Sequence, residues 1–108
     1  MADKPALWII GTNVLGNDRV EDEFNRWYDV EHLPLLLSQL PGIKNVTRYR
    51  AVDQREGQPR YLAIYQLDSA AIYSSIMASP TIRSERQEWK KQWGGIASIT
   101  LSWLYEKI

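Results

Sequence analysis

The sequence predicts a single α+β domain, a four-stranded antiparallel sheet with its helices gathered on one face. Three observations predict it. Four short runs, at 6–14, 43–52, 60–67 and 97–107, are apolar or alternating and bounded by Gly, Pro, Asn or Asp, as strands are. Two stretches between them carry apolar residues at helical spacing. The middle two runs are parted only by a short polar loop, which makes them a hairpin. With 108 residues the chain is the size of one domain, 1–108. The order strand, helix, strand, strand, helix, strand is the ferredoxin-like βαββαβ arrangement, with the first and third strands central and both crossovers right-handed.

The first strand opens with Leu7, Trp8, Ile9 and Ile10 and ends near Gly11 and Asn13. Asp18 is placed to cap the following helix, with Glu21 three residues on as its capping-box partner. Phe24, Trp27, Tyr28, Glu31 and Leu35 then recur on one helical face until Pro41-Gly42 stops the helix. The second strand mixes Lys44, Arg48 and Arg50 with apolar residues, which marks an edge. Asp68 or Ser69 caps a short helix with Ile72, Tyr73, Ile76 and Met77. Ser79-Pro80 starts its continuation, whose face carries Ile82, Arg86, Trp89 and Trp93 before Gly94-Gly95 ends it. The last strand places Ala97, Ile99, Leu101, Trp103 and Tyr105 on one parity.

Composition excludes several function classes. Thirteen basic residues balance thirteen acidic ones, so no basic stripe is available for nucleic acid. Cysteine is absent, which removes thiol catalysis, disulfides and thiolate metal sites. No apolar run approaches the roughly 18 residues a membrane helix needs, and the N-terminus lacks a signal layout; the expectation is a soluble, cytoplasmic protein. Five Trp and six Tyr stand beside a single Phe. Rings with a polar tip suit pocket walls and interfaces as well as cores.

The apolar pattern also predicts a partner. The first strand is apolar on both parities, and the third offers Leu62 and Ile64 on one face and Tyr61, Ala63, Tyr65 and Leu67 on the other. Helices on one side leave the second face bare, and monomers rarely expose so large a patch. A homodimer that packs two such faces into a barrel-like core, enclosing an apolar pocket, is the expected solution. The alternative is a monomer with a wet aromatic sheet face of the kind some single-strand RNA binders carry.

The segment 23–34 carries the chemistry. His32 is the only histidine, the side chain whose ordinary pKa lies nearest physiological pH. Pro34, two residues on, denies the Val30 carbonyl a helical donor and predicts a kink beside the histidine. Tyr28 precedes His32 by one helical turn and Asp29 by three residues; Glu31 points roughly 100° away round the helix. A histidine with a carboxylate or phenol partner can serve as general acid or base. The bland alternative is a packing histidine in a kinked helix.

Phe24-x-x-Trp27-Tyr28-x-x-Glu31-His32-x-Pro34, then Leu40-Pro41-Gly42-Ile43 and a strand with Arg48-Tyr49, resembles the dimeric α/β-barrel superfamily, most closely its EthD-like branch. The resemblance runs over nearly the whole chain. It implies the ferredoxin-like fold, a homodimer, and a functional His32 acting on a small hydrophobic molecule. The superfamily includes cofactor-free monooxygenases, muconolactone-type isomerases, polyketide cyclases, and aldoxime and haem enzymes. Haem-binding members typically place their iron-ligating histidine in the second half of the chain, where this sequence has none. Neither metal nor organic cofactor is expected.

These readings assign His32, Tyr28 and Tyr65 to proton transfer and stabilisation of a developing oxyanion. Trp27, Tyr49, Tyr61, Arg48 and Trp103 are assigned to substrate binding, Arg48 as a planar fork for a carboxylate if it is not a solvated edge charge. The expected function is a cofactor-independent enzyme for a small hydrophobic cyclic or aromatic carbonyl compound, of the isomerase, cyclase, lyase or monooxygenase type. The alternative is a non-catalytic or stress-related protein that sequesters a ligand in the same pocket.

Overall fold

The computed structural model describes residues 4–108. Its elements are β1 (Ala6–Val14), α1 (Asp18–Trp27), a π-helical turn (Tyr28–His32), α2 (Leu33–Gln39), β2 (Ile43–Arg50), β3 (Tyr61–Leu67), α3 (Ala70–Ala78), α4 (Pro80–Trp93) and β4 (Ala97–Glu106). The strands form one antiparallel sheet in the order β2-β3-β1-β4, so the first and third strands are central as expected. β2 stops two residues short of the predicted end.

The first helix is capped by Asn17, not Asp18: the Asn17 side chain accepts from the Val20 amide at 3.1 Å. Asn17 is extended, as an N-cap must be, and Asp18 becomes the first helical residue, where its charge faces the positive helix end. Ser79 caps α4 as predicted, its hydroxyl accepting from the Ile82 amide at 3.1 Å.

Pro34 does more than kink the helix. Around it the hydrogen bonding slips to a wider turn, with the Leu33 amide bonded to the Tyr28 carbonyl. A π-turn adds one residue to the helix. The inward series predicted as Phe24, Trp27, Tyr28, Glu31 and Leu35 therefore runs Phe24, Trp27, Tyr28, His32 and Leu36. Those five are buried, whereas Glu31 is exposed and Leu35 only half-buried.

The core lies between the sheet and the helices. Ala6, Trp8 and Ile10 of β1 and Tyr61, Ala63, Tyr65 and Leu67 of β3 meet Phe24, Leu36, Ile76 and Ile82. Phe24 is fully buried, its ring edge-on to Tyr28, Trp89 and Trp93 at 5.2–5.6 Å.

The expected parity of β4 is broken once. Gly11 pairs with Leu101 but Thr12 pairs with Ile99, so Thr100 is bulged. The bulge turns Ile99 toward the helices while Leu101, Trp103 and Tyr105 stay on the opposite face. Gly11 is required at this point, since a Cβ there would lie 2.8 Å from both Leu101 and Pro59 side-chain atoms.

The helix-free face is apolar, as the sequence implies. Leu7, Tyr49, Trp103 and Tyr105 are 38–54% exposed there, around half-covered Ile9, Leu62, Ile64 and Leu101.

Phe24→Ala is expected to remove about 3–5 kcal/mol of stability, because the cavity it leaves is walled by the rings of Trp27, Tyr28, Tyr61, Trp89 and Trp93. Urea denaturation of the two proteins measures this; a loss below about 1 kcal/mol would mean the cluster repacks freely.

Candidate active site

His32 is buried and fixed from both sides. Its ring stacks on Trp27 at 4.8 Å and 21°, and Tyr28 meets it edge-on at 4.9 Å. Its Nδ1 lies 3.1 Å from Oε2 of Glu85, which is equally buried, on α4. A carboxylate oxygen accepts, so this contact assigns the proton to Nδ1 and leaves the Nε2 lone pair unshared. Nε2 has no hydrogen-bond partner among the described residues.

Burial drives the histidine pKa below its ordinary value of 6.5; the bond and charge of Glu85 push the other way, and Arg48 adds to the lowering. At neutral pH the imidazole is uncharged and able to accept a proton.

Tyr28 and Tyr65 are buried side by side, their hydroxyls 3.2 Å apart. Burial raises both phenol pKa values, that of Tyr65 well above 10.0. Both therefore stay protonated. Two hydroxyls sharing one hydrogen bond have two protons between them, so one O–H remains free to donate.

These side chains border a cavity of about 270 Å³ between the sheet and α2 and α4. Trp8, Ile10, Leu36, Ile82, Trp89 and Ile99 make it chiefly apolar, and His32, Glu85, Tyr28 and Tyr65, with Arg86 and Ser102, form its polar part. At about 30 Å³ per water the space matches roughly ten non-hydrogen atoms, the size of one ring with a short substituent. It lies on the helix side of the sheet, is lined by residues of one chain, and opens past exposed Arg86 and Ile99.

The structure thus brings His32, Tyr28 and Tyr65 together at one cavity. The residues expected to bind substrate stand elsewhere. Arg48 is drawn inward: its guanidinium donates to Asp29 at 3.0 Å and Asn25 at 2.8 Å and lies 4.3 Å from the Tyr28 ring centre. With both terminal nitrogens bonded to Asp29 and Asn25 and its face on Tyr28, it holds the tyrosine from behind. Tyr61 continues that network, accepting from Asn25 and donating to Glu21. Trp27 supports the histidine ring. Tyr49 and Trp103 are on the helix-free face, with the sheet between them and His32.

Glu85 is the residue the sequence reading missed. Asp29, a nearer candidate by sequence, is engaged by Arg48. The available signal was a carboxylate at Ile82 + 3 on the otherwise apolar face Ile82, Trp89, Trp93; the neighbouring Arg86 fits the same spacing and obscured it. Among the described residues no group of three or more His, Cys, Asp or Glu side chains could hold a metal. No helix is long and apolar enough to cross a membrane.

No protein-family model and no curated protein sequence matches the chain. Solved structures do. SnoaB from Streptomyces nogalater, a cofactor-independent oxygenase, superposes with a TM-score of 0.70 at 13% identity, covering 97% of this chain and 94% of SnoaB. The hydroxynitrile lyase of Passiflora edulis gives 0.69 at 13% identity, covering 97% and 94%. An ethyl tert-butyl ether D (EthD) family protein of Bacillus halodurans gives 0.64 at 16% identity, covering 97% and 99%. The chain has the ferredoxin-like α+β fold. This ferredoxin-like domain matches the EthD protein over nearly all of both chains, in line with the resemblance carried by the His-x-Pro segment.

The histidine environment has a consequence for stability. Because the folded pKa is depressed, the unfolded chain binds a proton near pH 6.5 that the folded chain refuses. Stability is expected to fall as pH drops below that value, until the folded pKa is also passed. Thermal melts between pH 7 and 5 should show a smaller loss for His32→Gln than for the unaltered protein. Glu85→Gln should lower the midpoint of the single histidine NMR signal further, since it removes the group that favours the charged form. A midpoint that rises in that variant would contradict the 3.1 Å contact.

Proposed function

We propose that this ferredoxin-like domain is a cofactor-independent enzyme that moves a proton at the carbon next to the carbonyl of a small, apolar, monocyclic compound. The observation that carries the reading is the buried His32–Glu85 hydrogen bond, on the wall of an apolar cavity beside a pair of tyrosine hydroxyls. His32 Nε2 takes the proton, and the C–H electron pair moves through the new C=C bond onto the carbonyl oxygen. The free O–H of the Tyr28–Tyr65 pair donates to that oxygen as its charge grows. Glu85 keeps Nδ1 protonated and steadies the imidazolium that forms. Isomerisation, cyclisation, elimination and cofactor-free oxygenation all begin this way. The fold hosts an oxygenase described as cofactor-independent and a hydroxynitrile lyase.

Deuterium uptake from heavy water into acetophenone-sized ketones, followed by NMR, tests the reading. His32→Gln should reduce exchange by about 10²–10⁴-fold. Tyr65→Phe is expected to cost about 10²–10³-fold through the lost oxyanion donor. Full exchange in His32→Gln would reject the assignment. Tight ligand binding with no turnover across a carbonyl panel, unaffected at His32, would favour a sequestering protein instead.

We further propose that a second copy covers the helix-free face. Half-exposed Leu7, Tyr49, Trp103 and Tyr105 gather on this face, and contiguous exposed apolar residues of this kind commonly mark a protein–protein contact. Light scattering at micromolar concentration should give twice the one-chain mass, and Trp103→Glu should bring it back to one chain. A monomeric unaltered protein would refute the pairing.

A further inference from the structure

The His32–Glu85 pair borders two hollows that have no other residue in common. One is the apolar cavity. The other is a cleft of about 170 Å³ between the π-turn and α4, lined by Trp27, Glu31, Glu88 and Gln92 besides the pair itself. Glu31 and Gln92 are exposed and Glu88 is half-buried, so the mouth of this cleft is in water. The Gln92 amide donates to Glu88 at 2.7 Å, which leaves further carboxylate oxygens to accept from water.

The two sides differ in what they can hold. An ordered water needs two to four polar partners. Glu31, Glu88 and Gln92 supply them in the cleft; on the cavity side most of the wall is aliphatic or aromatic. We infer that the polar cleft is the proton port of the pair, through which His32 and Glu85 exchange protons with solvent while a ligand fills the apolar cavity.

This rests on the proton-transfer role proposed above. After His32 accepts a proton from carbon at Nε2, the imidazolium passes its Nδ1 proton by way of Glu85 to a cleft water, and the hydronium leaves past Glu31 and Glu88; the ring regains an Nδ1 proton from the cleft as Nε2 gives its own to the product, which restores the starting tautomer. The charged and titratable groups around the pair are Glu88 and Arg86 on α4, Glu31 and Tyr28 on the π-turn and Tyr65 on β3, with Arg48 on β2 behind Tyr28. Glu31 and Glu88 are solvent-side positioning residues, not catalytic ones.

The test needs no substrate. His32 is the only histidine, so its ring N–H in protein carrying ¹⁵N-histidine is a single signal. Its exchange rate with water is measured by NMR in the free protein, in protein saturated with toluene, and in two variants checked for native circular dichroism. Glu31→Leu/Glu88→Leu dries the cleft, and Gln92→Trp narrows it. Toluene in the cavity should leave the rate within about twofold, whereas each variant should slow it about tenfold or more, since exchange then waits for local opening. Unchanged exchange in both variants overturns the port, as does a toluene block that the variants do not reproduce. Where one variant fails to fold, the other decides. Loss of the enzymatic reading alone would leave these rates unaltered, so the two ideas fail separately.

Discussion

Pro34 has no amide hydrogen to give, and the way the helix absorbs that loss decides what lies inside the protein. A regular helix through this segment would direct Glu31 and Leu35 inward. The π-turn over Tyr28–His32 adds one residue and brings His32 and Leu36 inward instead. A buried unpaired glutamate would be costly; a buried neutral imidazole with one carboxylate partner is tolerable. The rest of the site follows. His32 reaches Glu85 on α4, its ring rests on Trp27, and Tyr28 is left to pair with Tyr65 across the layer.

The site is held by groups that never face its cavity. Arg48 is anchored by Asp29 and Asn25 with its guanidinium over Tyr28; Asn25 in turn donates to Tyr61, and Tyr61 to Glu21. This network fixes the end of α1 against β2 and β3, where the helix changes its turn width. Such a chain is the kind of support that a reacting group needs in order to keep its orientation. It also explains why an arginine on an edge strand is only 13% exposed along its side chain.

The two faces of the sheet divide the work. The helix side lines a cavity with residues of one chain, and the bare side presents half-exposed aromatic residues. The bulge at Thr100, facing Gly11 of β1, separates them in β4, sending Ile99 to the cavity and Trp103 to the other face. The aromatic-rich composition therefore has two destinations. Trp8, Trp27, Trp89 and Trp93 belong to the core and cavity, Tyr49, Trp103 and Tyr105 to the open face.

Much of this was legible in the residues themselves. Alternation and turn residues predict all four strands and their order, because periodicity reports which face is buried. The single histidine beside a proline marks the segment that lines the cavity, and apolar residues on both parities of β1 mark a sheet that is apolar on two sides. What periodicity cannot carry is phase once a helix or strand leaves its ideal repeat. One residue inserted at the π-turn exchanged Glu31 for His32, and one at the β4 bulge moved Ile99 across the sheet. Nor can local spacing name a partner 53 residues away. The sequence by itself determined the layers, their order and the residue able to move a proton; only tertiary packing decided that Glu85 holds it and where the cavity lies, because those contacts join elements distant in the chain.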